Sequence, residues 1–329
     1  MARLRVVHLV DDTTAGGVMR VLDHIMTAPG LSETLDHSLR CVDRRNAALG
    51  HIEADIIVSH LAISWRLLPT LIALRARHLR AAIVHVEHSY TEGFVAANVT
   101  HPRRFATLLR LSYRLFNRVV AVSHAQGDWL VRSGAVRASA LRVVQSCVDL
   151  SAFRALPAVS PPVRVIGAIG RLDRQKGFDS LITAFRHTTR PDLSLLIYGE
   201  GPEEATLRDL ASGDARIRFM GFAPDPVAAM ATVDAVAMPS LWEAYGLVAI
   251  EALAAGRALL VNRVDGLSDH LAHGAYAVED SSITAWEHAI NDLAEGHIQP
   301  SPDRGNVAQT PEDLFAAQWK LLGKDLIRA

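Results

Sequence analysis

Short apolar stretches alternate along this chain with segments of helical apolar spacing, and the alternation runs twice. In the first half the short stretches are RVVHLV (5–10), DIIVSHL (55–61), AAIVHV (81–86), RVVAV (118–122) and LRVV (141–144). Between them, residues 18–26 and 65–74 repeat apolar side chains at helical intervals. Continuous apolar strands alternating with helices predict parallel sheets covered on both faces. The alternation stops at 150–164, LSAFRALPAVSPPVR, where three prolines and two serines predict a linker that continues neither a helix nor a central strand. It restarts with VRVIGAIG (163–170), LSLLIYG (193–199), IRFMGF (217–222), AVAMP (235–239) and ALLV (258–261). Helices are expected near 176–187, 202–211, 246–255 and 284–295. The pattern predicts an α/β chain of two doubly wound parallel-sheet domains facing each other across a cleft. Ligands of such sheets sit at the carboxyl ends of the strands, so the loops after strands are where chemistry is expected.

Composition narrows the function classes. Half of the 329 residues are hydrophobic and 21% are charged, which suits a packed core and excludes a mainly disordered chain. The net charge of −1 gives no global field for nucleic acid. The charge is divided, with 18 arginines and no lysine against 12 carboxylates in residues 1–150, and 16 cations against 23 carboxylates in the remainder. Two cysteines, Cys41 and Cys147, supply neither a zinc ribbon nor a disulfide framework and fit a reducing cytoplasm. Asp11 and Asp12 interrupt the first 20 residues, so no signal peptide is expected, and no uncharged apolar run is long enough to span a bilayer. There is no Walker phosphate loop, no G-x-G-x-x-G after a strand and no G-x-S-x-G elbow. No Asp-x-Asp pair offers a metal clamp for a diphosphate. The stretch His85-Val-Glu87-His88 has metal-like residue types, but a deaminase centre would need a Cys-x-x-Cys partner that this chain lacks.

Two segments of the second half carry chemistry. Gly170-Arg-Leu-Asp-Arg-Gln-Lys176-Gly follows a strand and precedes a helix. Arg171, Arg174 and Lys176 crowd cations near a helix N-terminus, where the positive macrodipole end disfavours them unless an anion binds there; solvated loop residues are the bland alternative. Pro239-Ser-Leu-Trp-Glu243-Ala-Tyr-Gly246-Leu-Val-Ala-Ile-Glu251-Ala-Leu-Ala-Ala-Gly256 ends a strand and opens a helix apolar on every face except at Glu251. A buried carboxylate needs hydrogen-bond partners, and either ligand hydroxyls or neighbouring protein groups would supply them. The helix start at Gly246 and Leu247 offers backbone N–H groups to a phosphate.

Together these segments resemble the retaining GT-B glycosyltransferases of family 4. Glu243 and Glu251 match the family's E-x7-E motif, and GRLDRQKGFDSLITAF its donor-phosphate segment. YGEGPEEATLRDLA, IRFMGF and PSLWEAYGLVAIEALAAGRALLV follow in the family's order. The likeness is close over about 165–280 and looser over the first domain. It implies a donor domain at 156–311 and an acceptor-side domain at 1–155, with a last helix, 312–329, crossing back onto the first domain. Arg171 and Lys176 would bind the donor diphosphate, and Glu251 would accept from the ribose hydroxyls. Glu243 would contact the transferred sugar, with the backbone of Tyr245, Gly246 and Leu247 helping at sugar and phosphate. Phe222 and Ala223 would lie against the base. Gly16 and Gly17, after the first strand, would let the backbone approach the diphosphate or acceptor. His88, in the loop after AAIVHV, would stand near the transferred sugar, making His88, Glu243, Arg171 and Lys176 the catalytic set, whereas His85 would be buried in or behind the sheet. The chain departs from the family where an Asn-Gly turn is common, reading Gln145-Ser-Cys-Val148-Asp149 instead.

The implied activity is retaining, metal-independent transfer of a sugar from a UDP- or GDP-sugar to a saccharide or lipid-linked hydroxyl acceptor, without a further cofactor, in bacterial polysaccharide or glycolipid assembly. A sugar-nucleotide 2-epimerase on the same fold and a non-catalytic nucleotide-sugar-binding subunit are the alternatives. An amphipathic helix is expected over 102–118, with Arg103, Arg104, Arg110, Arg114 and Arg118 in one arc. That arc is either a solvated helix face or a surface for the anionic inner face of the cytoplasmic membrane.

Overall fold

The computed structural model describes residues 3–13, 16–43, 49–300 and 309–327. The chain divides into two compact units, Met1–Val148 with Gln309–Ala329, and Asp149–Ala308. Both are α/β. Parts of the expected domains, 301–308 in the second and 328–329 at the end of the last helix, lie outside the described residues.

The first unit holds strands β1 (Leu4–Val10), β2 (Leu35–Cys41), β3 (Ile56–Ser59), β4 (Ala82–Glu87), β5 (Arg118–Ala121) and β6 (Leu141–Val143). They form one parallel sheet in the order β2-β1-β3-β4-β5-β6. One core gathers Leu9, Ile57 and Ile83 of the sheet with Leu108 and Leu109 of the helix Pro102–Tyr113 and Leu130 of the helix His124–Arg132. The latter helix starts where Ser123 Oγ accepts from Gln126 N at 3.1 Å, an N-cap the sequence supplies. The last helix, Pro311–Ile327, buries Phe315, Trp319, Leu322 and Leu326 in this unit. Its Asp325 accepts from Arg118 Nε at 2.9 Å and Arg142 Nη2 at 2.6 Å.

The second unit holds β7 (Val165–Ile169), β8 (Ser194–Tyr198), β9 (Ile217–Gly221), β10 (Ala235–Met238), β11 (Ala258–Asn262) and β12 (Tyr276–Val278), parallel in the order β12-β11-β10-β7-β8-β9. Strand order therefore reverses between β7 and β10, the place where such sheets open a crevice at their carboxyl ends. The core joins Ile166, Ala168 and Leu195 to Leu181 and Phe185 of the helix Phe178–His187 and to Trp286 of the helix Ile283–Glu295.

The ten apolar stretches are strands, but β2 and β12 carry no such signal. β2, LDHSLRC, is an edge strand with one face polar, and β12 is an edge strand of three residues. The expected helix at 65–74 begins at Leu68, after a turn closed by Leu67 N donating to Ser64 O at 3.0 Å. The expected linker opens with one helical turn, Ser151–Arg154, before its prolines take over. The helix expected over 102–118 ends at Tyr113. Arg114 is its C-cap and Arg118 is already the first residue of β5, so the arc of five arginines does not exist on one helix. Among those left, Arg104 lies over the Trp65 ring and Arg110 donates to Ser133 O and Gly134 O. Among the described residues no helix is long and apolar enough to cross a membrane.

Candidate functional site

In the second unit the loops after β7 and β10 flank the point where strand order reverses. The β7 loop runs through Arg171 to the short 3-10 turn Arg174–Lys176. Gly177 then takes φ 63°, and a Cβ there would lie 2.3 Å from Pro239 O. Glycine is therefore required for this loop to press its backbone against the loop after β10. Leu241 N donates to Gln175 O at 2.8 Å and Gln175 Nε2 to Trp242 O at 3.0 Å, fastening the two loops together. The result is an ion pair, Lys176 Nζ donating to Glu243 Oε2 at 2.5 Å, with the side chains 16% and 13% exposed. Arg171 differs. Its side chain is 75% exposed and reaches Asp173 at 2.8 Å.

The β10 loop is held from the other side as well. Asn262 Nδ2, at the end of β11, donates to Pro239 O and Ser240 O, while its Oδ1 accepts from the Trp286 indole at 2.9 Å. Gly266 N donates to Glu243 O at 2.9 Å, and Glu243 N to Asp265 Oδ2 at 3.3 Å. Asp265 is a non-glycine residue at φ 38°, a strained conformation of the kind that clusters at working sites. A Cβ on Gly266 would lie 2.0 Å from Ala244 O, so this loop too needs a glycine at its closest approach. His270 Nε2 donates to Tyr245 O at 2.8 Å, which fixes its tautomer, and burial lowers its pKa. Gly246, at φ 90°, starts the helix Leu247–Ala254, whose first N–H groups are the natural contacts for an anion. Glu251 is buried in that helix at 1% exposure. After β9, Gly221 takes φ 75° and Phe222 stands 57% exposed with Ala223 half-buried beside it.

The structure thus brings Lys176 and Glu243 into contact and puts Tyr245, Gly246, Leu247 and Glu251 on the same loop and helix as Glu243. It leaves Arg171 paired with Asp173 on the surface. The sequence reading missed Asn262, Asp265, Gly266 and His270, which hold the β10 loop. The Asp265-Gly266 dipeptide after an apolar strand was the available signal for a tight loop there.

In the first unit Gly16 is the N-cap of the helix Gly17–Thr27. In the stretch containing His85, Glu87 and His88, protein groups take up the carboxylate. Tyr113 Oη donates to Glu87 Oε2 at 2.6 Å, His85 Nε2 lies 3.3 Å from the same oxygen, and the Ser89 and Tyr90 N–H groups donate to Oε1 at 2.8 and 2.9 Å. Burial pushes the Glu87 carboxyl up, but these partners more than offset it and hold its pKa below the usual range. Among the described residues no group of three or more His, Cys, Asp or Glu is placed to hold a metal. Glu87 instead shapes the turn that follows His88. His88 is half-buried, and its Nε2 lies 2.8 Å from His60 Nδ1. Burial pushes the His88 pKa down to about 4, against the opposing charge of Glu87 and with a smaller lowering from His85.

Residues 6–152 match the family model described as Glycosyltransferase Family 4, and residues 156–305 the model described as Glycosyl transferases group 1. A D-inositol 3-phosphate glycosyltransferase of Paenarthrobacter aurescens is 27% identical over 318 residues, which cover 88% of this chain and 76% of that protein. A phosphatidyl-myo-inositol mannosyltransferase of Mycolicibacterium smegmatis is 25% identical over 273 residues, 79% of this chain and 67% of that one. Among solved structures, Anabaena Alr3699/HepE in complex with UDP and glucose superimposes with a TM-score of 0.71 at 17% identity, over 99% of this chain and 100% of that one.

Proposed function

The chain belongs to glycosyltransferase family 4 and is an enzyme of the glycosyltransferase type on a GT-B fold, and from that premise we propose that it takes its sugar, with retention, from a nucleoside diphosphate donor bound by the second unit. The observation that carries this reading is the Lys176–Glu243 pair beside the reversal in strand order. A partly buried lysine held by a carboxylate next to a helix N-terminus is a preset cation for a leaving diphosphate. The first N–H groups of the helix Leu247–Ala254 and, on rotation away from Asp173, the Arg171 guanidinium complete the anion's surroundings. Glu251 takes the ribose hydroxyls, and the exposed Phe222 with Ala223 takes the base. Glu243 then faces the transferred sugar. In the first unit Gly16, Gly17 and His88 serve the acceptor and the transferred sugar.

In this reading negative charge grows on the diphosphate as the glycosidic bond breaks, and fixed cations and dipoles stabilise it without reorganising. The acceptor hydroxyl attacks the same face and gives its proton to the departing phosphate. No divalent cation is needed, because the leaving charge falls on Lys176, Arg171 and the helix start. The UDP and glucose bound by the Anabaena structure support a nucleotide-sugar donor. The inositol compounds in the names of the two relatives support a hydroxyl-bearing acceptor, and the phosphatidyl group in one of those names supports glycolipid assembly.

The test is a thermal-shift panel of UDP, GDP and ADP with their sugars, followed by turnover of the stabilising donor with and without chelator. Stabilisation by one nucleoside diphosphate, and donor consumption that survives chelation, are expected. No stabilisation by any nucleotide would remove the donor assignment, and loss of turnover restored by magnesium would remove the metal-independent mechanism.

A further inference from the structure

Four histidines from four neighbouring strands meet in the first unit. His37 lies on β2 and His8 on β1, His60 follows β3, and His88 follows β4. His37 Nδ1 is 2.9 Å from His8 Nε2, His8 Nδ1 is 2.9 Å from His60 Nε2, and His60 Nδ1 is 2.8 Å from His88 Nε2. The polarity is the same at every step, each Nδ1 facing the next ring's Nε2. These are hydrogen-bond separations, and the rings follow one another at centroid distances of 5.1–5.2 Å.

A neutral imidazole carries one proton on one of its two nitrogens, and the hydrogen bond made by one nitrogen sets the state of the other. In a head-to-tail chain only two arrangements leave no defect. Either every ring is protonated at Nδ1, or every ring is protonated at Nε2. The state of His37 therefore dictates the state of His88. We propose that His37, His8 and His60 are positioning residues that hold His88 as the Nδ1–H tautomer, so that His88 presents a hydrogen-bond donor and not a base.

The direction follows from the far end of the chain. His37 Nε2 and Trp319 Nε1 are both buried with no hydrogen-bond partner among the described residues. Both residues line one small cavity whose other walls are apolar, among them Val6, Val58 and Leu322. Protonation at Nε2 throughout would put two N–H donors into that apolar space with no acceptor. Protonation at Nδ1 throughout puts one donor and one acceptor there, which avoids burying a second unanswered donor. Neutrality of the chain is supported by burial, which pushes His8 to about 3 and His37 to about 4 and lowers His60 well below its ordinary range. The chemical consequence rests on the proposed function. If His88 faces the transferred sugar, it donates to a sugar or acceptor oxygen, leaving the departing phosphate to take the proton.

The experiment is two-bond ¹⁵N–¹H correlation on the full chain labelled with ¹⁵N-histidine at pH 7.5, with resonances assigned through His88→Gln. The expected spectrum shows all four rings neutral, with Nδ1–H of His88 in at least about fivefold excess over Nε2–H. Trp319→Phe removes the competing donor beside His37, three rings away from His88, and the excess at His88 is expected to fall. His8→Phe cuts the chain, and His88 is expected to become a mixture of tautomers. His88 found as Nε2–H in the wild type overturns the proposal. So does a His88 spectrum that Trp319→Phe leaves unaltered while the amide spectrum reports an intact fold, and this arm decides if His8→Phe does not fold. Because the readout is a tautomer and not turnover, failure of the transferase assay leaves the spectra as they are and separates the two readings.

Discussion

Lys176 and Glu243 are 67 positions apart in sequence, and nothing in either local pattern states that they touch. Each is legible alone, one as a cation before a helix and the other as a carboxylate after a strand. Their contact depends on Gly177 and Pro239 pressing backbone to backbone, a three-dimensional fact carried by one positive φ. Two expectations follow at this scale. Lys176→Ala removes the oriented cation and should lower turnover by about 10²–10³, with diphosphate affinity falling and affinity for the bare nucleoside unchanged. Calorimetry with nucleoside and nucleoside diphosphate measures the difference, and wild-type turnover in Lys176→Ala would exclude this lysine from the donor site. Gly177→Ala places a Cβ against Pro239 O in a left-handed conformation, which by itself costs about 1–2 kcal/mol. Its urea midpoint should fall accordingly, and equal stability to the wild type would show that the loop relaxes.

At the scale of elements, the strands that could be read most plainly from sequence are those apolar on both faces, such as β3, IIVS, buried at every position, and β10, AVAM, likewise. β2 could not, because an edge strand with Asp36, Ser38 and Arg40 need satisfy only one face. That omission hid more than an edge. His37 is on β2, and without it the row of imidazoles running His37, His8, His60, His88 has no end. Periodicity says which way a side chain points, but strand order, which is set by the whole sheet, says which histidine it meets. The row has a measurable cost. His8 is fully buried, with a pKa near 3 against 6.5 for the unfolded chain, so below pH 6.5 the unfolded state binds a proton the folded state refuses. Its stabilising contribution is complete above pH 6.5 and is lost as pH falls towards 3. At pH 5 the loss from this one ring is about 2 kcal/mol. Denaturant titrations at pH 7 and pH 5 should show a drop of at least this size, which His8→Phe should reduce. A stability that is flat across that interval would mean that the buried row is already charged or already open.

For the molecule as a whole, the last helix is the element whose importance sequence position conceals. It comes after the second unit in the chain, yet its buried side chains belong to the first. Phe315, Trp319, Leu322 and Leu326 are each at most 8% exposed, and Asp325 ties the helix to Arg118 at β5 and Arg142 at β6. Burying four such side chains contributes on the order of 6–12 kcal/mol, similar to the whole stability of a typical domain at about 5–15 kcal/mol. The partly exposed ion pairs add little beside that. Truncation after residue 308 should therefore unfold the first unit selectively. It would also uncover His37 and open the cavity that Trp319 closes, removing the low dielectric that keeps the histidine row neutral. The second unit has its own core around Ile166, Phe185 and Trp286, in which no residue of the helix takes part. Hydrogen exchange read by peptide is the suitable measurement: protection should collapse in β1, β2 and β4 and persist in β7, β8, β10 and β11. A nucleoside diphosphate that stabilises the full chain through the second unit should still bind the truncated one. Equal loss of protection in both units, or none in either, would show that the helix does not serve the first unit in the way its burial implies.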